Sequence, residues 1–205
     1  VKQQQEFYRI TSSHFPEAAL EYCYQLWMDY KFNFKISKDR QTKLGDFRYH
    51  KLKNSYSVTV NQGLNPYSFL ITYIHEVAHV RTYRQFKNTC KPHGKEWQEN
   101  FRILAAPVLR REVFPENVLK EFSRYLEKPA ASTSGCMPLT LALRSYDKDA
   151  EQQQVLSAVK TGSRFIFKNR TFEKIGTKRT RALCKDLNNG RNYLISGVAQ
   201  VEAVA

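Results

Sequence analysis

Paired cysteines are missing from this chain. Its four cysteines, Cys23, Cys90, Cys136 and Cys184, lie far apart with no C-x-x-C pair, which excludes a disulfide-built scaffold and points to a reducing compartment. Long apolar runs are missing too, since none approaches the ~20 residues needed to span a bilayer. The leading Val-Lys-Gln-Gln-Gln-Glu-Phe lacks the apolar core of a signal peptide. These absences set the expectation of a soluble, cytoplasmic protein with no membrane partner. Acidic residues are scarce beside basic ones, 19 Asp and Glu against 33 Lys and Arg, for a net charge of +14. There is no internal repeat. What is present is a core: apolar residues make up 41% and aromatics 13% of 205 residues, which excludes wholesale disorder.

The periodicity of the chain predicts an α+β fold. Residues 13–30 carry Leu20, Tyr24, Leu26, Trp27 and Tyr30 at helical spacing, with Ser12 or Ser13 as a cap ahead of Pro16. Phe32, Phe34 and Ile36 alternate with polar residues, as do Leu44–Tyr49 and the run Tyr56, Val58, Val60; each reads as a strand. Lys53-Asn54-Ser55 reads as the hairpin turn between the last two. Helices follow over 67–87, 94–110 and 115–127. At Pro129–Gly135 small and polar residues lose all periodicity, so 131–160 reads as a connecting segment. Short strands are expected at 163–168, 171–175, 178–187 and 192–201, with a hairpin turn at Asn189-Gly190. The domains so drawn are 1–130, the connecting 131–160, and a small basic β-sheet region, 161–205.

The densest chemistry lies in Tyr73-Ile74-His75-Glu76-Val77-Ala78-His79. Residues four apart share one face of a helix, so His75 and His79 can offer two imidazole nitrogens to one metal ion. Glu76 then reaches a water on that ion and serves as general base. Phe69, Leu70, Tyr73, Ile74, Val77 and Ala78 bury most of this helix, leaving Thr72, His75, His79 and Thr82 as one polar stripe. A catalytic zinc needs a third protein ligand and an open position for water. His93, in the loop before the next helix and followed by Gly94, is the first candidate. Cys90 competes with it, because C-x-x-H is itself a ligand spacing, and His50 is a weaker third. Tyr73, Tyr83 and Arg84 lie close enough in sequence to stabilise an oxyanion.

Together with Leu44-Gly45-Asp46-Phe47-Arg48, the strand ending at Val60-Asn61, and His93-Gly94-Lys95-Glu96-Trp97, this helix resembles the SprT-like zinc metalloproteases, the SprT and Spartan type. The likeness covers roughly residues 15–110. It implies a zincin-like metalloprotease domain, one catalytic Zn2+ on His75, His79 and His93, and Glu76 as catalytic base. It also implies protein substrates attached to or crosslinked to DNA, a role in DNA repair, and a bacterial cytoplasm or nucleoid as the setting. The zinc ribbon that many members carry after the helices cannot be built here, because Cys136 and Cys184 lie 48 positions apart without partners. Two other readings stay open: a DNA-binding scaffold whose zinc is structural, and another zincin hydrolase acting on small substrates.

The charge is concentrated near the end. Residues 160–191 hold ten basic and two acidic residues. Lys168, Arg170, Lys174, Lys178, Arg179, Arg181, Lys185 and Arg191, interleaved with Phe165, Phe167, Phe172 and Tyr193, form a candidate nucleic-acid surface. No sequence-reading motif accompanies them, so DNA binding there should be sequence-tolerant and dependent on salt.

Overall fold

The computed structural model describes residues 2–40, 43–148 and 154–204, and the chain divides into two units, Val1–Ala131 and Ser132–Ala205. The first unit begins with helix α1 (Lys2–Thr11), helix α2 (Leu20–Tyr30) and strands β1 (Asn33–Ser37), β2 (Gly45–His50) and β3 (Ser55–Asn61). Helices α3 (Pro66–Phe86), α4 (Lys95–Ala105) and α5 (Glu116–Glu127) complete it. Helix α2 starts later than its periodicity suggests, because Pro16 leads into a single 3-10 turn at Glu17–Ala19. Helix α1 precedes the first element expected from the sequence. Only Phe7 and Thr11 are buried on it, and Phe7 stacks on Trp27 with ring centroids 5.3 Å apart. Pro107 ends α4 early: the helix expected to reach 110 stops at Ala105 and passes into a 3-10 turn, Ala106–Val108.

The three strands pair in the order β1-β3-β2, β1 parallel and β2 antiparallel to β3. The turn between β2 and β3 is wider than three residues: a 3-10 turn at Lys51–Lys53 leads to Asn54 at φ 44°. Among the described residues β2 has no strand on its other side and is an edge of the sheet. The Leu44 carbonyl accepts from the Asn61 N–H at 2.8 Å. By the alternation of an antiparallel ladder, Asp46, Arg48 and His50 then bond β3, while Gly45, Phe47 and Tyr49 turn their N–H and C=O groups to the free side.

Helix α3 packs against this sheet. The Asn65 side chain caps it by accepting from the Ser68 N–H at 3.0 Å, and Pro66 occupies its first turn. Phe69, Leu70, Tyr73, Ile74, Val77 and Ala78 are all buried, each large side chain adding about 2 kcal/mol of apolar burial. The Tyr73 hydroxyl donates to the Cys23 carbonyl at 2.8 Å, tying α3 to α2. Among the described residues no helix is long and apolar enough to cross a membrane.

The second unit is β-rich. Within 131–160, which composition marks as a connecting segment, helix α6 (Met137–Arg144) forms and buries Leu139, Thr140 and Leu143; residues 149–153 lie outside the described residues. Six strands follow: β4 (Gln154–Val155), β5 (Arg164–Phe167), β6 (Arg170–Lys178), β7 (Arg181–Asp186), β8 (Asn192–Ser196) and β9 (Gln200–Ala203). They form one sheet in the order β4-β9-β5-β6-β7-β8. The expected strand over 192–201 is split at Gly197. There the chain passes so close to its neighbours that a Cβ would meet the Thr180 carbonyl and Met137 Cε, each at 3.0 Å. Leu156, Val159, Phe165, Phe172, Ala182, Cys184, Ile195 and Val201 form the core of this unit.

One expected surface residue is part of that interior. Lys174 is 4% exposed, and its Nζ donates to the carbonyls of Leu156, Ser157 and Val159 at 3.0, 3.3 and 2.7 Å. Lys174 is thus withdrawn from the candidate nucleic-acid residues, because three buried carbonyls have it as donor. Lys174→Met keeps the stem but removes the ammonium donors. It is expected to cost about 3 kcal/mol, read as a lower midpoint in chemical denaturation followed through signals of the second unit; an unchanged midpoint would show that the carbonyls find other donors.

Candidate metal centre

His75 and His79 stand one turn apart on α3, and His93 reaches them from the loop between α3 and α4. That loop reverses through left-handed residues. Lys87 ends α3 at φ 54°, and His93 itself adopts φ 58°. Gly94 is an extended helix cap at φ −70°; it matters for space, since a Cβ there would sit 2.9 Å from the Lys91 carbonyl oxygen.

The three Nε2 atoms converge. They are separated by 3.3 Å (His75 to His79), 3.0 Å (His79 to His93) and 3.2 Å (His75 to His93). A tetrahedral zinc with Zn–N bonds of ~2.0–2.1 Å needs its nitrogens about 3.3–3.4 Å apart, so the triangle fits such an ion closely. Among the described residues this is the one group of three His, Cys, Asp or Glu side chains able to hold a metal ion. Cys90 and His50 are outside it. His50 sits exposed at the end of β2 with its Nε2 2.9 Å from Ser57 Oγ.

The electrostatics keep the three rings unprotonated, with their nitrogen lone pairs free. Burial, and then the neighbouring imidazoles, hold His75 well below its ordinary value and push His79 down to about 3; burial alone lowers His93. All three rings are thus neutral at neutral pH, the form in which an imidazole can ligate a metal. Trp97 packs beneath them, its ring 4.6, 5.3 and 4.6 Å from those of His75, His79 and His93, and stacks on Phe101 at 5.0 Å. Only the tertiary arrangement gives this residue its place, for its sequence position marks it as ordinary core.

Glu76 lies beside the triangle, 7% exposed. Burial, reinforced by the charge of Asp46, pushes its carboxyl up to about 8; Arg40, Lys43 and the Phe47 N–H pull the other way. Of the oxyanion candidates, Tyr73 is fully buried with its hydroxyl committed to Cys23. Arg84 lies over the rings of Tyr30 and Tyr56, at 5.5 and 5.6 Å. Tyr83 remains half-exposed in an aromatic cluster with Phe47, Tyr49 and Tyr56.

A family model described as the SprT-like family matches residues 13–115, half of the chain. The chain belongs to the SprT-like family. This is a family of metallopeptidase type, and the matched span takes in α2, all three strands of the first sheet, α3 and α4, hence His75, Glu76, His79 and His93. Neither the curated proteins nor the solved structures gave a match.

Beyond the SprT-like span, the second unit divides the remaining basic candidates between the two ends of its sheet. The pairing of Lys178 with Arg181 places Lys178, Arg179 and Arg181 around the β6–β7 turn, all exposed. Lys185 and Arg191 lie towards the other end, where Phe172 pairs with Asp186, and Lys168 occupies the β5–β6 turn there. Arg170 is only half-available: it is paired with buried Asp186 and lies over the rings of Phe172 and Tyr193. The interleaved aromatics are mostly interior, with Phe165 and Phe172 in the core and Phe167 and Tyr193 packed against it. Cys184 is buried in that core and Cys136 is half-buried; both are free thiols.

Proposed function

We propose that this chain is a zinc-dependent metallopeptidase with a zincin-like catalytic domain, in which His75, His79 and His93 hold one zinc ion and Glu76 is the general base. The observation that carries the reading is the convergence of three neutral imidazole nitrogens at 3.0–3.3 Å beside a buried carboxylate. Zinc bound there supplies Lewis acidity and an activated water at neutral pH, with three protein donors leaving a fourth position open. Glu76 accepts a proton at its carboxylate and returns it to the leaving amine. Trp97, packed against all three rings, holds the histidines in place. The free edge of β2 offers backbone groups with which an extended polypeptide can pair.

Proteins bound or crosslinked to DNA are the proposed substrates, with the exposed cations of the second unit supplying sequence-tolerant affinity for nucleic acid. The clustering of Lys178, Arg179 and Arg181 supports this. Replacing all three by Gln is expected to weaken DNA binding and to flatten the dependence of log affinity on log salt by about one per cation lost. Titrations at several salt concentrations measure it; an unchanged slope would remove these residues from the interface. The proteolytic reading is tested by metal analysis and cleavage of DNA-bound protein, with wild type and Glu76→Gln side by side. Equal activity or equal silence of the two would favour the scaffold with a structural zinc.

A further inference from the structure

Strand β2 and helix α3 run side by side in step. Two residues of strand advance about 6.8 Å and one helical turn about 5.4 Å, so alternate residues of β2 meet successive turns of α3. Tyr49 meets Tyr83, ring centroids 4.5 Å apart, and Phe47 meets His79 at 6.0 Å. Gly45 meets Thr72 and Glu76. Two of the three positions carry aromatic rings, and the one that faces the carboxylate carries no side chain.

The missing side chain leaves space that the carboxylate fills. A Cβ built on Gly45 would lie 2.5 Å from Glu76 Oε1, 2.8 Å from Glu76 Cγ and 2.7 Å from Thr72 Cγ2, well inside the ~3.5–4.0 Å of ordinary contact. Gly45 is not among the residues with positive φ, so its backbone would admit any residue and only the space requires glycine. On the same strand the Phe47 N–H, turned to the free side of β2, favours the ionised form of the Glu76 carboxyl. A backbone donor and a void two residues apart thus form one seat.

We propose that Gly45 is a positioning residue for Glu76, leaving vacant the space that the carboxylate occupies against strand β2; the catalytic consequence rests on Glu76 being the general base. The test uses the full chain with Gly45→Ala, and Gly45→Ala combined with Thr72→Ser. The second variant removes the Thr72 methyl but keeps the hydroxyl that donates to the Ser68 carbonyl at 2.7 Å, so it relieves the packing conflict and leaves the one with Glu76. Two readouts are needed. In metal-free, isotope-labelled protein the Phe47 amide resonance should move in Gly45→Ala, as it should in the reference variant Glu76→Gln. In the zinc-loaded protein, cleavage should fall about 100-fold, the scale of an ångström-sized misplacement, with zinc content unchanged. Adding Thr72→Ser should not restore it. In a Glu76→Gln background, Gly45→Ala should cost nothing further.

A Gly45→Ala variant that cleaves within twofold of wild type with an unmoved Phe47 amide overturns the proposal. So does recovery by Thr72→Ser, or an equal loss with and without the carboxylate, for either would make Gly45 a packing residue. Should Glu76→Gln itself cleave like wild type, the general-base reading fails, while the amide resonance still decides whether Gly45 seats Glu76.

Discussion

Glu76→Gln is expected to lower peptide-bond cleavage by about 1,000-fold, within the range a positioned general base contributes, while the chain still takes up zinc. The amide fits the same space and offers an oxygen to the Phe47 N–H, but it cannot accept a proton at the reaction pH. The three imidazoles that would bind the ion are untouched, which separates this variant from a folding defect. Burial already drives the Glu76 carboxyl up to about 8 in the metal-free chain, and a bound divalent cation opposes that shift by favouring the anion. Zinc stoichiometry and cleavage, measured on the same preparation, check the prediction. Loss of zinc together with activity would mean that Glu76 helps hold the ion.

His93→Ala is expected to take zinc from about one ion per chain to near none, since two histidines on one helix are one ligand short of the usual three. Cys90→Ser should leave zinc unchanged, because Cys90 stands outside the group that could hold the ion. The loss should also be visible in stability. A ligand that binds only the folded state adds about 2.7 kcal/mol at a hundredfold excess over its Kd, so zinc should raise the Tm of wild type and not that of His93→Ala. A variant that still gains Tm with zinc would move the third ligand elsewhere.

The pH dependence of the metal-free chain has a definite sign. Folding depresses the pKa of the three imidazoles below the ordinary 6.5, so the unfolded chain binds their protons more readily. The stability they contribute is present above pH 6.5 and is lost as pH falls below it. Denaturation midpoints between pH 7.5 and 5.5 should fall with acid in the metal-free protein.

Much of this was legible in the residues themselves. Helix α3 announces its start through Asn65-Pro66 and its buried face through a run of apolar side chains, because capping and periodicity act over a few residues. The i, i+4 spacing of His75 and His79 puts both rings on one face of any helix. Strands β1, β2 and β3 show their alternation for the same local reason. Other features carry no such mark. Helix α1 buries only Phe7 and Thr11 among polar neighbours, and α6 lies in a stretch whose small residues look like connector. Lys174 sits in a strand as any exposed lysine would, until three carbonyls brought from 156–159 surround it.

Amino-acid order alone determined the two histidines and the carboxylate of one helical face, the α+β pattern and the basic end, since each follows from neighbours a few positions apart. Tertiary structure alone decided which third side chain joins the pair. His50, Cys90 and His93 differ in where the chain carries them, and only the reversal through Lys87 and His93 brings one nitrogen within 3.0–3.2 Å of the others. The same holds for the cations of the second unit. Their number is a property of composition, but which of them reach solvent depends on which strand face turns inward, and folding turned Lys174 in.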